Sequence, residues 1–232
     1  MTGVLERALG DDWTDLHPNV QERYGLSTDG EVQTVVGCGT MDRLSTGRYL
    51  RPALALGPLR NTLFPESGRS VPFEIRTEAF VDAHGREAVA FRRTFEVTDA
   101  LGRQRTRRFD STMVWDEGRG TAIDYLGSGG ELAVDVDVAA DDGALVLTSG
   151  TARLTAAGRS LPLPDALNAD VTVRDWYDEA ADRYRVALSV DSPVGYVFGF
   201  EGSFTQESRS AADPTSDARR SAVSVTEGTL PR

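Results

Sequence analysis

From Val71 onward the chain alternates large apolar and polar residues with a period of two, and this pattern constrains its fold more than any other feature. Successive side chains of an extended strand point to opposite faces, so such alternation describes strands buried on one side. Val71, Phe73, Ile75, Thr77, Ala79 and Val81 share one face, while Glu74, Arg76 and Glu78 take the other. The alternation returns in Val89, Phe91, Phe95 and Val97, in Phe109, Met113 and Trp115, and in Leu132, Val134, Val136 and Val138. It recurs in Val171 and Val173, in Tyr184, Val186, Leu188 and Val190, and in Tyr196, Phe198, Phe200 and Phe204. Short turns at 83–85, 99–102, 117–120, 141–143, 179–182 and 192–195 separate the runs. Such turns join antiparallel neighbours and cannot make a parallel crossover. About eight to ten strands joined by hairpins fit best as a meander that curls until its edges meet. The expected fold is mainly β, an antiparallel calycin-like or lipocalin-like barrel or strongly curved sheet.

Ahead of the strands, Val4, Leu5, Ala8 and Leu9 recur at helical spacing. A second segment has Pro18 at a helix start, Val20 and Tyr24 on one face, and Gly25 as a stop. Two short helices are therefore expected within residues 2–25, followed by a strand at 31–38. The stretch 41–68 reads as irregular or short-helical, with Leu50, Leu54, Leu56, Leu59, Leu63 and Phe64 needing burial. Residues 1–207 form one expected domain, and the small polar residues 208–232 an expected disordered tail.

The chain has 25 basic residues, all arginine, against 36 acidic ones, a formal net charge of -11. Acidity dense in aspartate, as in Asp11 and Asp12 or Asp141 and Asp142, suits a surface kept hydrated in concentrated salt, so a halophilic setting is expected. The same charge disfavours nucleic acid as a partner. Arg103, Arg105, Arg107 and Arg108 alternate around a hairpin without interleaved aromatics and read as a solvated turn. The single Cys38 excludes an internal disulfide, and the N-terminal residues lack the basic start and apolar run of a signal peptide, so a cytoplasmic address is expected. The most apolar stretch, 49–64, is interrupted by Arg51, Pro52, Pro58 and Arg60 and does not read as a membrane span.

Several segments together carry a family resemblance. They are Leu5-Glu-Arg-Ala-Leu-Gly10, Leu16-His-Pro-Asn-Val-Gln-Glu-Arg23, Gly37-Cys-Gly-Thr-Met-Asp-Arg43 and Gly57-Pro-Leu-Arg-Asn61, followed by Phe109-Asp-Ser-Thr-Met113, Asp124-Tyr-Leu-Gly127 and Trp176-Tyr-Asp-Glu179. Over roughly residues 2–206 the chain resembles the bacterial and archaeal family called domain of unknown function 4166. The family brings no established catalytic residues to these positions. Because its members also occur joined to saccharopine-dehydrogenase-like domains, the resemblance implies partnership with an oxidoreductase.

Motif by motif, the chemistry stays sparse. Val35-Val-Gly-Cys-Gly39 imitates half a dinucleotide fingerprint, but position 42 is aspartate and no βαβ spacing follows. Leu126-Gly-Ser-Gly-Gly130 lacks a P-loop lysine and precedes a strand. His17, His84 and Cys38 stand in unrelated segments, short of a zinc set, and Asp135, Asp137, Asp141 and Asp142 read as a solvated face rather than a calcium loop. No metal and no cofactor is expected, and no nucleophile elbow accompanies either histidine.

Polar residues on apolar faces are more informative. Strand parity puts Arg93 inward between Phe91 and Phe95, Asp175 and Tyr177 inward after Val171 and Val173, and Ser111 inward between Phe109 and Met113. A buried arginine needs a carboxylate or several acceptors, so Arg93 either pairs with Asp175 or meets a ligand head group. The first functional reading is a barrel binding a small apolar or amphipathic ligand. Its interior would be lined by Phe91, Phe95, Met113, Trp115, Tyr177, Phe198 and Phe200, with 49–64 over its mouth. The alternatives are a cyclase-like or isomerase-like enzyme using Asp110, Asp124 or Asp175 with Tyr125 or Tyr177, and a noncatalytic partner of an oxidoreductase.

Overall fold

Among the described residues eleven antiparallel strands form one sheet, and ten of them close into a ring. The computed structural model describes residues 2–29, 33–130, 132–156, 159–163 and 168–210. The strands are β1 (Thr34–Thr46), β2 (Gly68–Val81), β3 (Glu87–Thr98), β4 (Gln104–Asp116), β5 (Thr121–Leu126) and β6 (Leu132–Asp141), then β7 (Ala144–Ala156), β8 (Arg159–Pro162), β9 (Asp170–Asp178), β10 (Arg183–Ser192) and β11 (Gly195–Ser210). Their order is β6-β5-β4-β3-β2-β1-β11-β10-β9-β7, and β7 pairs back onto β6 to close the barrel. The expected meander and closure are both present. Closure leaves the ring without an open edge.

One strand departs from simple meander pairing. The outer edge of β7 is divided: residues 145–148 pair with β9, whereas 153–156 pair with β8, which projects beyond the ring. Between these stretches Ser149 Oγ accepts from Val171 N at 2.7 Å and donates to Ala169 O at 3.2 Å, and Leu163 N donates to Ala152 O at 3.0 Å. Side chain and loop backbone thus complete the wall where no strand pairs.

The two ends of the barrel are closed differently. At the helix end, α1 (Val4–Leu9), a 3-10 turn (Gly10–Asp15) and α2 (Pro18–Tyr24) plug the opening. Leu5, Leu9, Leu16, Val20 and Tyr24 pack on the inward Val89, Phe91, Met113, Ala122 and Val136. Pro18 opens α2, His17 Nδ1 accepts from Asn19 N at 3.1 Å, and Gly25 N closes the helix on Gln21 O at 2.8 Å. The helix start at Pro18 and the stop at Gly25 read from the sequence are in place.

At the loop end, β1 extends to Thr46, further than its expected limit. The rest of the connection to β2 holds α3 (Arg51–Leu54) and a 3-10 turn (Gly57–Arg60). This cover drops Phe64 between Phe95 and Phe198, with ring centroids at 5.4 and 5.0 Å. Its backbone is tied to the barrel: Asp110 N donates to Asn61 O at 2.9 Å and Ser128 N to Arg60 O at 2.8 Å. Gly127 adopts φ +80°, and a Cβ there would meet Arg60 O at 2.7 Å, so the 127–130 turn needs glycine where it meets the cover.

Gly37 and Gly39 lie within β1 opposite Gln206 and Phe204, and no helix follows them as a dinucleotide site would require. A Cβ on Gly39 would meet the Phe204 Cα at 2.5 Å, so the glycine serves close approach of two strands. Among the described residues no helix is long and apolar enough to cross a membrane. The expected tail overlaps β11 at residues 208–210, and residues 211–232 lie outside the described residues.

Candidate functional site

The barrel interior is divided by side-chain size. Beneath β1, β2, β3 and β11 it is filled by Phe73, Phe95, Phe198, Phe200 and Phe204, joined by Phe64 from the cover. Beneath β5, β6, β7 and β9 the inward residues are smaller, among them Val134, Val136, Ser149, Ala152, Val171 and Val173. Small residues leave space, and a cavity of about 140 Å³ lies there. Leu63 of the cover, Leu126, Leu132, Leu163 and Ala169 bound it toward the loop end, while Phe91, Phe109 and Met113 form its inner wall.

Two charged side chains reach this cavity, Arg93 and Asp124. Arg93 stands on β3 between Ile75 of β2 and Phe109 of β4, so the inward parity read from the sequence holds. Its guanidinium lies over the rings of Phe91 and Phe109, 5.3 and 5.2 Å from their centroids. Among the described residues it makes no hydrogen bond and no ion pair. Asp124 stands on β5 opposite Met113 and Val134. Its accessible surface faces the cavity rather than bulk water, so burial pushes its carboxyl up to about 6, with Arg93 and then Ser111 pulling in the opposite direction. Neither Asp124 Oδ1 nor the buried Ser111 Oγ has a partner of good hydrogen-bond geometry among the described residues, although Ser111 lies close enough to Asp124 to favour its charge.

Asp175 occupies a second, much smaller space next to the first. That space, about 10 Å³, is shared by Tyr24, Phe91, Arg93, Leu145 and Asp175. It is large enough for about one water molecule. The anticipated Arg93–Asp175 contact pair does not form: both face this space, yet they act on each other at longer range. Burial pushes the Asp175 carboxyl up to about 6, opposed first by Arg23 and then by Arg93. Arg23 is the cation that sequence parity could not supply, because it enters from α2 rather than from a strand. It is 0% exposed, and its guanidinium packs on the rings of Phe204, Tyr184 and Tyr24 at 4.6, 5.4 and 5.5 Å with no hydrogen bond at any of its nitrogens. The interior therefore holds two arginines and two aspartates interleaved with aromatic rings, a formally neutral set when both acids are ionised.

The other expected site residues are distributed around this centre. Phe91 and Met113 line the cavity, and Ser111 is buried next to Asp124. Phe95, Phe198 and Phe200 sit in the filled aromatic half. Trp115 packs against the helix plug, and the Tyr177 ring stacks on His17 at 5.1 Å with its hydroxyl donating to Asp182. Of the acids considered for catalysis, Asp110 pairs on the outer side with Arg108 at 2.5 Å, while Asp124 alone lines the cavity. Tyr125 belongs to an outer cluster with Phe80, Val114 and Ile123. The cavity residues that alternation did not disclose, Ser149, Ala152, Leu163 and Ala169, lie where β7 changes partners. Their small size is the signal that could have marked them.

Among the described residues no group of three or more His, Cys, Asp or Glu side chains is placed to hold a metal. The family described as a domain of unknown function (DUF4166) matches residues 16–204. The chain is also 32% identical over 212 residues to the uncharacterized protein YndH of Bacillus subtilis (strain 168), an alignment covering 90% of this chain and 99% of that relative. By both matches, which span nearly all of the barrel and its plug, the chain belongs to the DUF4166 family.

Proposed function

We propose that the barrel binds a small amphipathic ligand, its apolar body in the 140 Å³ cavity and an oxygen-bearing group against Arg93. The observation that carries this reading is the half-buried Arg93 guanidinium, which faces an apolar space and makes no hydrogen bond among the described residues: a carboxylate or carbonyl placed there would satisfy its donors. A cavity of roughly 150 Å³ lined by apolar side chains accommodates a single aromatic ring. The ligand is accordingly a ring-sized molecule or the end of a longer chain. Organic extraction of purified protein followed by mass spectrometry tests the reading. A stoichiometric small acid or carbonyl compound retained by the parent and lost from Arg93→Met is the expected outcome, and an empty parent that also takes up no aromatic or short-chain acid would refute it.

A second reading has one observation behind it, the Asp124 carboxyl raised to about 6 at the wall that Arg93 shares. A base titrating near neutrality beside a cation suits proton transfer next to a carbonyl, with Arg93 stabilising the developing oxyanion. Deuterium exchange from D₂O into a bound ketone, abolished in Asp124→Asn, would support it. An interior filled throughout would have favoured a purely structural partner of an oxidoreductase, and the cavity argues against that. We propose a cytoplasmic setting because a sequence with one cysteine, Cys38, can form no internal disulfide.

A further inference from the structure

Nine large apolar side chains stay exposed among the described residues, and all but Val81 lie on the loop-end half of the barrel. Tyr49 (90% exposed), Leu56 (70%) and Leu59 (78%) project from the cover, Leu101 from the β3–β4 turn and Val194 from the β10–β11 turn. Scattered exposed leucines need no explanation, but apolar tips drawn from three separate connections to one end do. None of them is needed by the core beneath.

A cross-strand row links these tips to the cavity. Leu132 lines the cavity, pairs with Leu154 of β7, and Leu154 pairs with Leu161 of β8. Leu154 and Leu161 are both exposed, so the apolar wall of the cavity continues onto the projecting β7–β8 hairpin. An apolar molecule leaving the cavity along this row emerges at the end where the tips are gathered.

Charge is divided between the ends in the same sense. Arg48, Arg51 and Arg60 are exposed on the cover and Arg103 on the neighbouring turn. Among the described residues, two acids of that end, Glu66 and Asp99, are engaged by Arg107 and Arg105, and Glu96 accepts from Thr106, leaving Asp170 and Asp191. The helix end instead exposes Asp11, Asp12, Asp15, Glu117, Asp142 and Glu179. Strands of this length separate the ends by roughly 25 Å, more than twice the ~10 Å screening length at 0.1 M salt. The acidic end therefore does not cancel the basic one at short range.

We infer that the loop end docks on a lipid bilayer bearing anionic headgroups, its apolar tips entering the headgroup layer and its arginines facing the phosphates. The ligand would then pass between bilayer and cavity along the leucine row, a step that rests on the ligand-binding reading above. The full chain is sedimented with phosphatidylcholine vesicles, with and without phosphatidylglycerol, at about 0.1 M salt. It should pellet with the anionic vesicles only. Leu56→Ser with Leu59→Ser, and separately Arg48→Gln with Arg51→Gln, should each weaken binding about tenfold while keeping the parent melting temperature. A parent that ignores anionic vesicles, or variants that bind like the parent, would overturn the inference. So would a dimer of the parent that the leucine variant dissociates without any vesicle binding, since the tips would then meet a second copy. Extractable ligand is measured on the same samples: ligand without vesicle binding removes docking alone, and vesicle binding by a chain that neither carries nor takes up ligand removes the cavity reading alone.

Discussion

Asp124 has two neighbours that favour its charge, Arg93 and Ser111, and a wall that opposes it, and the wall prevails, because its carboxyl is raised from 3.8 to about 6. Between those values the folded chain keeps a proton that the unfolded chain has released. Its contribution is therefore fully present below about pH 4 and lost as pH rises through about 6. The span is worth on the order of 2–3 kcal/mol. Asp124→Asn should be more stable than the parent by about 2 kcal/mol at pH 8 and indistinguishable from it near pH 4. Urea unfolding at the two pH values checks this, and a variant weaker than the parent at pH 8 would mean that Arg93 and the carboxylate are directly paired. Arg93 was legible in the sequence as an inward arginine, and Asp175 as an inward acid, because strand parity holds in β3 and β9. Their relation was not, since the cation nearest in effect to Asp175 is Arg23, on a helix whose docking no periodicity predicts. Arg93→Met should cost about 2 kcal/mol at pH 8, below the 3–5 of a broken contact pair, because Arg93 touches neither acid. Joining it with Asp124→Leu should restore most of that loss in a double-mutant cycle.

Strands with one buried face could be read, and strands that break this condition could not. β2, β3, β4, β6, β9, β10 and β11 each show alternation and each appears where it was expected. β5 was missed because both of its faces are covered: Asp124 and Leu126 face the cavity, while Ile123 and Tyr125 join the buried outer cluster with Phe80 and Val114. β7 was missed for another reason. A register shift between Val134 and Val136 sets two β7 residues, Gly150 and Thr151, opposite the single Asp135 of β6, so inward positions change from Leu145, Leu147 and Ser149 to Ala152 and Leu154. The same shift builds the cavity, because it sets small residues inward where β9 leaves β7. Ser149 is the pin of this region, and Ser149→Ala removes the side-chain acceptor of the Val171 amide. The expected cost is about 1–2 kcal/mol, with amide exchange at Val171 accelerated at least about tenfold and amides of β1 to β3 unchanged. Uniform acceleration across the sheet would show that the split edge is no local weak point.

At the scale of the molecule, the net charge of -11 is unevenly opposed. Arginines hold many acids in place: Arg119 and Arg153 converge on Asp135, Arg86 meets Asp82 at 2.8 Å, and Arg7 bridges Glu87 and Glu117. The 3-10 turn between the helices has no such balance, with Asp11, Asp12 and Asp15 exposed together near the acidic turns at 141–142 and 179–182. Repulsion among exposed charges acts over the screening length and weakens with salt, so it destabilises the plug in dilute buffer and fades in brine. The melting temperature of the parent should therefore rise from dilute buffer to molar KCl, as expected of a protein adapted to high salt. General salting-out would also raise it, so the parent alone does not isolate the charge effect. Changing Asp11, Asp12 and Asp15 together to Asn does: the variant should melt several degrees above the parent in dilute buffer, and the gap should close in molar KCl. A gap that persists at high salt would trace to turn conformation rather than repulsion, and a variant that melts with the parent in dilute buffer would show that the acidic end carries its charge without strain.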